Sequence, residues 1–308
     1  MALAETPAAP IPEPRGALAR ALAMLWRDKL AFAATVYLLL MAFCALLGPA
    51  LFGETGTGMN LKMRNAPPGS IEQGWMFILG ADALGRPILP RIMVAAQNTL
   101  GVATAAVLSA MIAGGVLGLI AGYSGGWAGT IIMRLADIVM SFPSLLLAVV
   151  VLYVFEPRVA NLVLVLAITR MPVYIRTTRA EVLEIRERMY VNAARVLGAS
   201  TRRILTRHIA PLVIPTLITV ATLDFAFVML AESALSFLGI GIQPPEVTWG
   251  LMVAQGRNYL NSAWWLAFFP GLAIMLTTLA LNLLSGWVRL ATDPQQRWRL
   301  EIPRRPDG

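Results

Sequence analysis

The feature that most limits how this chain folds is its set of long stretches without charged side chains. Residues 31–52 and 258–288 contain no Asp, Glu, Lys or Arg. A bilayer core about 30 Å thick is crossed by roughly 20 helical residues, so each stretch is long enough to span it. With isolated charges allowed, the same criterion predicts six spans, at residues 31–52, 100–122, 134–155, 159–178, 211–235 and within 258–288. We therefore expect an all-α polytopic membrane protein with about six transmembrane helices.

The composition excludes most soluble classes of protein. Of the 308 residues, 57% are hydrophobic and 14% are charged, whereas soluble globular chains carry about a quarter charged residues. Disorder is excluded because a disordered segment is too polar to bury enough apolar surface, and this chain is the opposite. The net charge of +8 would suit nucleic-acid binding by a soluble domain. Here the basic residues lie between the spans, so no nucleic-acid partner is expected.

The positions of Lys and Arg predict the orientation of the spans. With six spans, the side that holds both termini carries 19 of these residues and the other side carries 6. Basic residues accumulate on the cytoplasmic side of a membrane, which places both termini in the cytoplasm. The predicted segments are a cytoplasmic tail (1–30), an anchor helix (31–52), an external segment (53–99), a core (100–290) containing a cytoplasmic loop (179–210), and a cytoplasmic tail (291–308).

The chain offers few residues for catalysis or metal binding. Its one cysteine, Cys44, cannot form an internal disulfide, and with one histidine, His208, there is no Cys/His metal cluster. The glycine-rich AGYSGG segment lacks the lysine of a GxxxxGK[ST] phosphate loop. We therefore expect no catalytic residue, metal or cofactor in this chain, and any nucleotide would be bound by another polypeptide.

The loop at residues 179–210 is longer than a simple connection requires. A short connection between helices needs only a few residues. The sequence predicts an amphipathic helix that stops at Gly198 and a second short helix that ends before Pro211. Two readings follow from these residues: a basic anchor that only fixes orientation, or a surface on which another protein docks.

The segment NAARVLGASTRRILTRHIAP resembles the EAA loop of the transmembrane subunits of ABC importers. That loop has two alanines, a glycine four residues after the second alanine, and a proline thirteen residues after the glycine. The matching residues are Ala193, Ala194, Gly198 and Pro211. Asn192 replaces the usual acidic residue and Ala210 the usual leucine, so the spacing is kept while two side chains differ. This resemblance favours the docking surface over the basic anchor.

Further stretches are similar to the smaller permease of the peptide and nickel branch of that family. They are LGADALGRPILPR (79–91), LGLIAGYSGGWAGTIIMRLADIVMSFPSLLLA (117–148), AESALSFLGIGIQPPEVTWG (231–250) and SAWWLAFFPGLAIMLTTLALNLLSGWVRLATDP (262–294). The departures from the family pattern are Pro87, Pro90, Gln97 and Gly286. The resemblance implies the type I permease fold of ABC importers and a cargo of di- or oligopeptides, with nickel complexes and oligosaccharides as alternatives.

The resemblance also implies a set of partners. These are a homologous permease, two cytoplasmic subunits that bind ATP and Mg, and an external solute-binding protein, all at a bacterial inner membrane. It implies docking of the ATPase subunits on the loop. The residues expected to contact them are Asn192, Ala193, Ala194, Arg195, Gly198, Ala199, Ser200, Thr201, Arg202 and Arg203.

Two acidic residues, Asp224 and Glu232, lie within the fifth predicted span. They are eight residues apart, or about 12 Å along a helix, and near one face of it. A carboxylate in lipid is costly, so each must face protein, water or a partner. One reading is a gate or an ion relay; the other is structural, with Glu232 bonded to the LSFLG turn that follows. Arg134 and Asp137 are expected to pair locally, and Arg170 to reach the headgroups.

The main rival function is a self-sufficient secondary transporter or channel that uses Asp224 and Glu232 for ions. It predicts interrupted spans at matching positions of two repeats, which the sequence does not show, and leaves the long basic loop unexplained. A membrane enzyme would need a polar catalytic cluster, and the sequence contains none. A scaffold would not need the spacing of the EAA loop.

Overall fold

The computed structural model describes residues 17–155 and 158–292, and within these ranges all regular elements are helical. Most of the two predicted tails, residues 1–16 and 293–308, lies outside the described residues. The α-helices are α1 Ala17–Arg27, α2 Lys29–Thr57, α3 Ile88–Tyr123, α4 Gly126–Ser141, α5 Ser144–Val154, α6 Val159–Ile185, α7 Met189–Val196, α8 Thr201–Ile204, α9 Ala210–Phe237, α10 Trp249–Gly256 and α11 Trp265–Thr292.

Five helices of the described ranges, α2, α3, α6, α9 and α11, are long and apolar enough to cross a membrane. Each has at least 27 residues, so each exceeds the roughly 30 Å of a bilayer core. The bent pair α4 and α5 brings the number of crossings to six if the pair counts as one. Many of their large apolar side chains are exposed, as expected where lipid replaces water.

The predicted third span, residues 134–155, is not one straight helix. Helices α4 and α5 meet at 90° between Ser141 and Ser144. Phe142 is extended, with φ −92° and ψ 139°, because Pro143 disfavours helical backbone in the residue before it. The missing N–H of Pro143 removes a further helical hydrogen bond at the same place.

Helix α3 begins at Ile88, twelve residues before the predicted second span. Pro87 precedes the helix and Pro90 lies in its first turn, where a proline is tolerated because those N–H groups lack helical partners. The two prolines therefore mark the start of a helix.

Between α2 and α3, the chain folds tightly around Asp82. The Oδ1 atom of Asp82 accepts from the N–H groups of Leu84 and Arg86 at 2.9 Å, and Oδ2 accepts from Arg91 Nη1 at 2.9 Å.

Helices α3 and α6 pack closely along a stripe of glycines on α3. A Cβ atom added at Gly114 would lie 2.7 Å from Cβ of Tyr174, and one added at Gly122 would lie 2.7 Å from Cβ of Val182. Gly118, between them, faces Thr178 even more closely. Small residues let helix backbones approach in a membrane, where no hydrophobic effect drives them together. The glycine stripe therefore fixes α6 against the second half of α3.

The helices run so that one end of the bundle carries α7 and α8; we call it the loop end. Trp265, at the start of α11, donates through Nε1 to Ala81 O at 3.2 Å beside the start of α3, at the opposite end. Helix α2 packs antiparallel on α3, with Gly48 against Met93. The first residue of α2 and the last of α11 therefore lie at the loop end.

Candidate docking surface and membrane-embedded charge pair

Residues 186–209 form a protrusion at the loop end, between α6 and α9. Gly198 has a φ of +78°, a left-handed backbone that suits glycine, and it ends α7 as the sequence predicts. Ser200 caps α8 by accepting from the Arg203 N–H at 3.4 Å. The predicted end of the second helix before Pro211 is wrong. A π-helical turn, Leu205–Ile209, joins α8 to α9, and Pro211 lies in the first turn of α9, where its missing N–H is tolerated.

The protrusion is held rigidly on the bundle. Val191 and Ile204 are buried against Val182 and Ile185 of α6 in one apolar cluster. On the other side, Arg186 Nη1 donates to the carbonyl oxygen of Gly122, at the end of α3, at 2.9 Å. These contacts therefore fix the protrusion to both α6 and α3.

Two arginine contacts at the base add to this attachment. The Arg195 guanidinium lies 5.9 Å from the ring centre of Tyr123, at the end of α3. Arg188 Nη2 donates to Glu184 Oε1 at 2.8 Å, and this hydrogen bond raises the pKa of Arg188 above its ordinary value. This bond joins the residue before α7 to the end of α6.

The protrusion exposes an apolar tip made of Met189, Val196 and Leu197. Their exposed fractions are 84%, 88% and 86%. Met189 and Val196 are seven residues apart and share one face of α7, whereas Val191 faces the bundle. Exposed large apolar side chains that cluster outside a membrane span indicate a binding surface. These residues were not among the predicted docking residues, although the seven-residue spacing of Met189 and Val196 on α7 was a signal for them.

The predicted docking residues lie on α7, on the turn after it and on α8, next to the apolar tip along the chain. Ala194 and Ala199 are half-buried, while the others are exposed at the surface: Asn192, Ala193, Arg195, Gly198, Ser200, Thr201, Arg202 and Arg203. Asn192 Oδ1 accepts from Arg195 Nη1 at 3.4 Å, which orients Arg195 along α7. The result is an apolar tip with a basic rim, the arrangement typical of a protein interface.

Asp224 pairs with a basic residue on another helix. Its side chain is 3% exposed and accepts from Arg170 of α6, with Nε 2.7 Å from Oδ1 and Nη2 on the same oxygen. The expectation that Arg170 reaches the headgroups is therefore wrong. The predicted local pair of Arg134 and Asp137 is also wrong, since Asp137 binds Arg176 Nη2 at 2.6 Å. Both pairs join residues distant in sequence, which local spacing cannot reveal.

Glu232 is fully buried and has its own partners. It accepts from Ser236 Oγ at 2.7 Å and from Ser233 Oγ at 3.3 Å. Ser236 belongs to the LSFLG turn, and its Oγ in turn accepts from the Ile242 N–H at 3.3 Å. The structure thus gives Asp224 and Glu232 separate sets of partners.

Comparison with known proteins places the chain in a family. Residues 114–298 match the model of the binding-protein-dependent transport system inner membrane component. The chain is 40% identical over 269 residues to the di/tripeptide transport system permease protein of Pseudomonas aeruginosa (strain UCBPP-PA14), covering 87% of this chain and 89% of that one.

Two further relatives are also permease proteins of transport systems. The chain is 36% identical over 263 residues to a dipeptide transport system permease protein of Alkalihalophilus pseudofirmus (85% and 84% of the two chains). It is 39% identical over 217 residues to a glutathione transport system permease protein of Pectobacterium atrosepticum (70% and 72%). This helical chain therefore belongs to the binding-protein-dependent transport system inner membrane component family and is the transmembrane permease subunit of an ABC importer, whose ATP hydrolysis is carried out by partner subunits.

Proposed function

We propose that this subunit, with a homologous permease, forms the pathway for di- or oligopeptides across the inner membrane. Three relatives that cover most or much of the chain are permeases for dipeptides, di- and tripeptides, or glutathione, which are all short peptides. The further partners are two ATPase subunits and an external solute-binding protein. Both termini and the protrusion face the cytoplasm, which the excess of Lys and Arg on that side supports.

The observation that carries the docking role is the exposed apolar tip on a rigid base. Buried apolar side chains at the centre of an interface supply most of its binding energy, and a polar rim excludes water around them. Met189, Val196 and Leu197 would fill the centre, and Arg202 and Arg203 would lie in the rim. The ATPase subunits would therefore grip the protrusion through its tip.

The attachment of the protrusion suggests how ATP drives transport. Arg186 ties it to α3, Val191 packs it on α6, and α8 continues through the π-helical turn into α9. When the ATPase pair closes around ATP, the protrusion would be displaced as a rigid lever. The three helices would then tilt together and open the pathway to the outside; release of the nucleotide would reverse the tilt.

We assign structural roles to Asp224 and Glu232 in this cycle. Arg170 neutralises Asp224, and Ser236 and Ser233 satisfy Glu232. The two carboxylates share no hydrogen-bond partner among the described residues, so no direct path for a proton joins them. The rival ion-coupled transporter gains no support from this arrangement.

Reconstitution tests the proposed function. We expect peptide uptake into proteoliposomes to require both permeases, the ATPase subunits, internal ATP and the external binding protein, and to be unaffected by a proton ionophore. Nickel chelates and oligosaccharides are the control cargoes and should not be taken up. Uptake by this chain alone, without nucleotide, would contradict the proposal, and uptake of only a control cargo would overturn the peptide assignment.

A further inference from the structure

Arg170 lies at the middle of the membrane-spanning part of the bundle. It is eleven residues from the start of α6, and Asp224 is fourteen residues from the start of α9, so both are far from either end. A charged side chain at this depth is costly against lipid and in membrane proteins faces protein or water. The pair therefore marks a side of α6 and α9 that does not face lipid.

The geometry of the pair leaves part of Arg170 unused. Arginine and a carboxylate form their strongest pair as two parallel hydrogen bonds, one to each oxygen. Here Nε and Nη2 both donate to Oδ1 of Asp224, and Oδ2 has no hydrogen-bond partner among the described residues. The guanidinium carries five N–H donors, and its Nη1 group makes no hydrogen bond within the described ranges. The side chain of Arg170 is still 21% exposed.

Phe227 fixes the plane of the Arg170 guanidinium, whose Nη1 side makes no hydrogen bond. The guanidinium carbon of Arg170 lies 4.2 Å from the ring centre of Phe227, on α9, three residues after Asp224. Phe227 is itself 42% exposed, so ring and guanidinium open to the same side. Such stacking holds a guanidinium in one orientation. Asp224 and Phe227 thus hold the free edge of the Arg170 guanidinium in one defined direction.

A guanidinium edge of this kind fits a carboxylate, because its parallel N–H groups match the two oxygens. We propose that the free edge of Arg170 binds the C-terminal carboxylate of a peptide in transit, with Asp224 and Phe227 as positioning residues. This rests on the proposed function, since it requires a peptide cargo. Asp224 already neutralises Arg170, so the added carboxylate is held weakly. Weak binding suits a pathway, where cargo must leave as readily as it enters.

A paired neutral variant separates this role from a purely structural one. Arg170→Gln combined with Asp224→Asn removes both charges and so leaves no unpaired charge in the bundle. The complete complex is reconstituted, and uptake is measured with the binding protein saturated by a peptide or by the same peptide amidated at its C-terminus. We expect uptake of the free acid to fall by about tenfold or more, because a charged hydrogen bond is lost, and uptake of the amide to stay within about twofold.

Equal losses for the two cargoes would show that the pair only holds α6 to α9 and would overturn the proposal, as would no loss for either. If the double variant does not assemble, Arg170→Lys provides the same comparison, because it keeps the charge and removes the planar edge. It should lower uptake of the acid selectively, and an equal effect on both cargoes again overturns the proposal. If the unaltered complex shows no ATP-driven peptide uptake, the proposed function itself fails, which is a separate result.

Discussion

Leu197→Asp is expected to weaken binding of the ATPase subunits strongly while leaving the membrane bundle folded. Leu197 is 86% exposed, so an aspartate there costs little in the subunit alone. In a closed interface, the same carboxylate would have to be stripped of water without a partner. Loss of a central apolar side chain commonly costs about 2 kcal/mol or more, which corresponds to a roughly 30-fold weaker complex. Co-purification of the ATPase subunits with the detergent-solubilised permeases measures the effect.

The matched control for this variant is Leu61→Asp. Leu61 is also largely exposed, at 69%, but it lies between α2 and α3 at the opposite end of the bundle. We expect this variant to retain its ATPase subunits. Retention of the subunits by both variants, with ATP-driven uptake intact, would show that the apolar tip is not their docking surface.

Gly118→Leu is expected to separate α3 from α6 and to stop transport. A Cβ atom at Gly118 would overlap Cβ of Thr178, and its next contact, the carbonyl oxygen of Ile175, would be 2.8 Å away. Backbone cannot yield as a flexible side chain does, so the helices must move apart. An overpacking cost of about 2–3 kcal/mol corresponds to a fall of roughly 3–5 °C in the melting temperature of a chain of this length. Thermal unfolding in detergent and ATP-driven uptake measure the two effects.

Gly101→Leu is the control on the same helix. Nothing lies within 4 Å of a Cβ atom at Gly101, and the residue is exposed. Its melting temperature should stay within about 1 °C of the unaltered protein, because surface substitutions usually change stability little. Similar losses for both variants would mean that leucine disturbs α3 generally and that the close packing on α6 is not the cause.

The fold could be predicted from the sequence because lipid imposes a simple requirement. Uncharged runs such as residues 31–52 and most of 258–288 form helices, since no other open structure satisfies its backbone in a bilayer. The boundaries were less predictable. The second span was expected from residue 100, whereas α3 begins at Ile88, and Pro143 broke a span that its apolar residues suggested was continuous.

The docking surface could be predicted only in part. The spacing of Ala194 and Gly198 located the loop, because a helix stop depends on local sequence. The apolar tip depended on which face of α7 packs on the bundle, and Val191 settles that only through its contacts with α6. The pairing of Arg170 with Asp224 joins residues 54 apart in sequence, so spacing within one span could not reveal it.

Photo-crosslinking from position 197 tests most directly whether an ATPase grips the protrusion. A benzophenone amino acid replaces Leu197 in one sample and Leu61 in the other, and membranes with the complete complex are irradiated. We expect position 197 to give a covalent product with an ATP-binding subunit and position 61 to give none with that subunit. A product from position 197 with lipid or the second permease alone, and none with the ATP-binding subunit, would contradict the docking of the ATPase on this protrusion.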